Sequence, residues 1–77
     1  MGSYVFYIVE YSFPSDDEVI EKTISEVRGI SLLTALKHLG DFVKEHPEGR
    51  LNTDMGSAIE YETEDTKLSA FIEYEED

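Results

Sequence analysis

From Tyr4 to Phe13 the chain reads YVFYIVEYSF, and nearly every residue before Glu10 is β-branched or aromatic. Such residues favour a strand, and because alternate strand residues point to opposite faces, this one is apolar on both. The pattern places it at the centre of a sheet, or under a cover on its second face. Whatever else the chain forms must supply neighbours for this segment. Phe13-Pro14-Ser15-Asp16-Asp17 then favours a turn, where the strand is expected to end.

Val19 to Val27 admits two readings. Ile20, Ile24 and Val27 fall at helical spacing, Ser15 with Glu18 fits a capping box behind Pro14, and Glu18 and Lys22 are one helical turn apart. However, Val19, Ile20, Thr23, Ile24 and Val27 are all β-branched and poor helix formers. The segment also matches the first strand in length and follows a short turn, so a hairpin is the expected outcome.

A helix follows. Ser31 suits its N-cap, and Leu32, Ala35, Leu36, Leu39 and Val43 recur at helical spacing, with Phe42 widening the stripe. These are expected to face the core, with Thr34, Lys37, His38, Asp41, Lys44 and Glu45 on the polar side. Pro47 and Gly49 stop the helix. Arg50 to Gly56 reads as a loop, and Ser57–Glu64 and Lys67–Tyr74 as a second hairpin. A turn at Asp65-Thr66 sets Ile59 opposite Ile72, Tyr61 opposite Ala70 and Thr63 opposite Leu68; Asp-Thr is not a favoured turn pair, so a four-residue loop with another register is the alternative. The expected architecture is a single acidic α+β domain over 1–77, ββαββ, with one helix packed on a four-stranded antiparallel sheet.

Eighteen acids against six bases give a formal net charge of −12. Aromatic residues at 12% and hydrophobic residues at 40% set the chain apart from disordered acidic segments. The acids enter the strands: Glu60, Glu62 and Glu64 alternate with Ile59, Tyr61 and Thr63, as in a strand with one buried and one charged face. A domain this small has a small core, and a homodimer is one way to add buried area.

The sequence excludes several chemistries. Without cysteine there are no disulfides, thiolate metal sites or cysteine nucleophiles. His38 and His46 are eight apart with no HExxH or HxH pattern. Asp16, Asp17 and Glu18, like Glu75, Glu76 and Asp77, form acid runs without calcium-loop spacing, and the stretch from Asn52 to Gly56 resembles such a loop only loosely. Glu10 interrupts the most apolar strand, for which the strand's end or a partner base is the simplest account. No phosphate-binding glycine loop or nucleophile elbow is present, and no enzyme activity and no cofactor are expected. Lys22, Arg28, Lys37, Lys44, Arg50 and Lys67 are scattered among the acids, which disfavours direct nucleic-acid binding. No stretch approaches a membrane span, and no basic leader opens the sequence, so the cytoplasm is expected, or the host cytoplasm for a viral protein.

The expected function is that of a small acidic protein-binding inhibitor or modulator, a DNA or RNA mimic in the basic site of a nucleic-acid-binding protein, of phage or plasmid anti-defence type. Its partner is a basic protein such as a nucleic-acid enzyme. The alternative is a structural or assembly protein forming a homo-oligomer. The expected partner-binding residues are Glu60, Glu62, Glu64, Glu73 and Glu75, with Tyr7, Phe71 and Tyr74 as aromatic anchors.

Overall fold

A computed structural model describes residues 2–52 and 58–76 of the chain. The elements run β1 (Ser3–Ser15), β2 (Glu18–Ile30), α1 (Leu32–Glu45), β3 (Arg50–Asn52), β4 (Ala58–Glu62) and β5 (Thr66–Glu75). All pairings are antiparallel, in the order β2-β1-β5-β4-β3. The expected α+β domain is present: two hairpins and one helix across the sheet. Arg50–Asn52, read as loop from the sequence, instead pairs with Ala58–Glu60 as a short edge strand. Three residues are too few for a period-two pattern to show. Positions 53–57, the rest of the expected loop and the start of the second hairpin, lie outside the described residues, as does Asp77.

β1 is central, bonded to β2 on one edge and to β5 on the other. The β-branched reading of Val19–Val27 holds, and the hairpin turn is tighter than expected: β1 continues through Ser15, leaving only Asp16 and Asp17. Three irregularities bend this hairpin. In one, Tyr4 pairs Ile30 while Phe6 pairs Val27, so β2 carries an extra residue beside Gly29 at φ +70. That left-handed backbone is where glycine costs least, and it forms a glycine bulge. Ile24 is the extra residue of the second.

The second hairpin is shifted from the expected register. Ile59 pairs Ala70 and Tyr61 pairs Leu68, because the turn is at Glu64-Asp65 rather than Asp65-Thr66. Thr63 N–H donates to the Thr66 carbonyl at 2.9 Å and the two threonine hydroxyls are 2.7 Å apart, which closes the turn with no positive φ. The slip is two residues, so every side chain keeps its face.

Ser31 caps α1 as expected, its Oγ accepting from Thr34 N–H at 3.1 Å. The helix is turned on its axis relative to expectation. Leu32, Leu36 and Val43 are exposed, while Ala35 and Phe42 are buried. His38, expected on the polar side, stacks on Phe6 with centroids 5.4 Å apart. His46 lies against Phe42 and Tyr61 at 4.5 and 4.8 Å. The reason is steric. Ala35 and Ala70, both fully buried, let helix and sheet approach, and Phe42 fills the core with Phe6. The imidazoles complete a line that a count of leucines does not show. Phe42→Ala should cost about 3–5 kcal/mol and Leu36→Ala under about 1 kcal/mol, read by urea denaturation at dilute protein.

Candidate functional site

No described helix or strand covers the other face of the sheet, yet Val5, Val9 and Ser69 are buried there. The rungs between β1 and β5 explain this. Along that face they run Val5–Glu73, Tyr7–Phe71, Val9–Ser69 and Tyr11–Lys67. The Val9–Ser69 rung sits between two large ones. Tyr7 and Phe71 stack at 5.0 Å with their planes 17° apart, and Lys67 Nζ lies 5.4 Å from the centre of the Tyr11 ring. Large side chains thus close over small ones, and the face is dry beneath and polar above.

Carboxylates surround this aromatic row. The pairing places Glu21 and Glu26 of β2, brought to one side by the extra residue Ile24, with Glu60 and Glu62 of β4 and Glu73 and Glu75 of β5 on the same face, and Arg28, Arg50 and Lys67 as its bases. Tyr7 Oη donates to Glu73 Oε1 at 2.7 Å. Arg28 donates from Nε to Glu26 at 3.1 Å and also bonds Glu75, reaching across β1, roughly 10 Å of sheet. Lys67 Nζ pairs with Glu60 Oε2 at 2.8 Å, and Ser69 Oγ donates to the same oxygen at 3.3 Å. Two depressions open among these groups. One of about 580 Å³ is lined by Glu48, Arg50, Glu60, Glu62 and Thr63, and one of about 160 Å³ by residues including Val5, Tyr7, Arg28 and Glu73.

Of the expected partner-binding residues, six gather here: Glu60, Glu62, Glu73, Glu75, Tyr7 and Phe71. Two do not. Tyr74 is on the helix side of the sheet, its ring edge-on to Tyr4 at 5.3 Å, because it is one residue out of phase with Glu73 and Glu75. Glu64 lies in the β4–β5 turn. Glu60, expected in water, is half-buried against Lys67 and Ser69. Glu10 is on the helix side, opposite Lys22 of β2. The Arg28 clamp and the Lys67 seat were not foreseen, since both depend on which strands flank β1 and β5.

The ionisable groups reflect these contacts. Burial, reinforced by the bond to Glu73, pushes the Tyr7 phenol from 10.0 up to about 12. Its bond to Glu60 raises Lys67, and those to Glu26 and Glu75 raise Arg28. Among the described residues no three histidines or carboxylates stand together as a metal site. The face holds paired carboxylates, stacked rings and donors held in place, and its own lysine and arginine are the cations they meet. No family model, curated protein or solved structure matches the chain.

A raised phenol pKa means that the fold favours the neutral form, so Tyr7 stabilises fully below the unfolded value near 10 and loses that contribution as pH climbs towards 12. In an ultraviolet titration, one tyrosine should ionise only towards pH 12, and Tyr7→Phe should abolish that late step.

Proposed function

We propose that the open sheet face binds a basic partner protein, and that the chain acts as a small inhibitor or modulator, mimicking nucleic acid in that partner's basic site. The observation that carries this reading is how the face holds the chain's own cations. Lys67 rests between the Tyr11 ring and Glu60, and Arg28 between Glu26 and Glu75. A lysine or arginine of a partner meets the same chemistry at Glu62 and at the Tyr7–Phe71 stack beside Glu73. Successive carboxylates on one face of a strand are about 7 Å apart, close to the spacing of phosphates along a nucleic-acid strand. The formal charge of −12 adds long-range attraction for a basic groove.

No described helix is long and apolar enough to cross a membrane, and the reading calls for none. It also involves no catalysis and no cofactor, and nucleic acid enters only as the competitor for the partner's groove. The rival reading, a structural protein that assembles into homo-oligomers through its sheet, finds an opening in β2, a thirteen-residue strand whose outer edge pairs with no strand among the described residues.

The test begins with partners recovered from cell lysate on the immobilised chain. Binding should weaken steeply with salt, and DNA or RNA should compete. Glu62→Lys with Glu73→Lys should slow association about tenfold or more while circular dichroism stays unchanged. These two sites are chosen because Glu60 and Glu75 hold Lys67 and Arg28. Equal binding after both reversals would remove the acidic face from consideration.

A further inference from the structure

We propose that the protein forms a closed two-fold dimer through the outer edge of β2, with Ile20 on the axis and Glu18 of each copy opposite Lys22 of the other. The sheet ends in two edges, β3 and β2. β3 is three residues long and offers little to pair with. β2 runs over thirteen residues, but its bulges at Ile24 and Gly29 bend its second half away from a straight neighbour. What remains is Glu18 to Thr23, where the one irregularity lies in β1, with Phe13 and Pro14 opposing Val19. Every residue from Glu18 to Ile24 is exposed, and α1 packs over β1 and β5. Backbone N–H and C=O groups along such an edge are open to another strand.

The stretch identifies its own copy as that strand. A two-fold axis normal to the sheet keeps every side chain on its face, and residues directly opposite in an antiparallel pair share a face, so one residue must lie opposite itself. Glu18, Glu21 or Lys22 on the axis would meet a like charge. Val19 there would set Asp17 against Glu21, and Thr23 would draw the bulge at Ile24 into the ladder. Ile20 on the axis instead sets Glu18 against Lys22 twice, and Ile20 against Ile20 of the other copy between them. Among the described residues neither Glu18 nor Lys22 has an ion pair within the chain. Ile20 is 50% exposed and gains an apolar neighbour. A uniformly basic strand in this place would put a cation against Lys22 and leave Ile20 without one, so the partner of the acidic face is not what this edge fits.

The pairing occupies the β2 edge of both copies, so no third copy adds there and assembly stops at the dimer. The two open faces then lie side by side on one side of a joined sheet, with both helices on the other. Each chain carries −12, so repulsion opposes association and salt screens it. The contact spans Glu18 to Lys22 of each copy, well short of the roughly 20–30 residues a side of a standard interface, and the dimer is weak, with Kd on the order of 100 µM. It does not depend on what the acidic face binds.

Sedimentation equilibrium of the full chain from about 5 µM to 1 mM, in about 0.3 M salt, should resolve a monomer–dimer equilibrium. Ile20→Lys should weaken it at least about tenfold with the circular dichroism spectrum unchanged. Glu18→Lys lowers the net negative charge, so repulsion alone predicts a tighter dimer. The register with Ile20 on the axis predicts one weaker by about fivefold or more, because Lys22 then meets a cation. Lys22→Glu should weaken it too, and an equimolar mixture of these two variants should recover the dimer, since each supplies the charge the other lacks. Glu62→Lys with Glu73→Lys should not weaken it, which separates failure of this proposal from failure of the acidic-face reading. A chain monomeric to about 1 mM overturns the proposal. So does a dimer indifferent to Ile20→Lys, a mixture no more dimeric than its components, or growth to species larger than a dimer.

Discussion

The rest of the molecule depends on one strand, β1, having to be satisfied on both edges and both faces. Its edges are taken by β2 and β5. Its helix-side face places Phe6 in the core beneath α1, and its open face buries Val5 and Val9 under neighbouring side chains. Each of these arrangements sets the next. Because β5 is the second neighbour, Glu73 falls beside Tyr7, and Phe71 stacks on the same ring. Hydrophobic burial fixes the strand, and the strand fixes which carboxylates share a face.

Elements that depend on local chemistry could be read from the sequence. The β-branched content of Val19–Val27 outweighed its helical spacing, and Ser31 marked the start of α1. Rotation of the helix could not be read this way. Its apolar residues spread over a wide arc, from Leu33 through Leu36 and Val43 to Phe42, and several orientations bury a comparable number of them. The shape of the sheet selects among them, through Ala70 and the rings of Phe6 and Tyr61. His38 was misplaced for the same reason: an imidazole stacked on a ring carries no pattern of its own. The second hairpin illustrates another limit. Its faces followed from alternation, whereas its register required knowing that Thr63 and Thr66 close the turn.

The candidate site divides along similar lines. Alternating glutamates announce a charged face, but whether an acid is exposed or paired depends on strands distant in sequence. Glu60 meets Lys67 across β4 and β5, and Arg28 reaches Glu75 across β1. The face is therefore an ordered array in which some carboxylates are already engaged. Tyr74 fell outside it because a shift of one position along a strand reverses the side on which a ring appears.

The separation between β1 and β5 has a kinetic consequence. β1 and β2 form a local hairpin closed by two residues, whereas β5 reaches β1 from more than fifty residues away. Local pairing closes in microseconds, and distant pairing must wait for a costly loop closure. During that interval the far edge of an unusually apolar strand is bare, and another unfolded chain could pair with it. Chains that all carry strong negative charge keep their distance while the edge waits. The acidity that lines the finished sheet thus also protects the molecule before that sheet is complete.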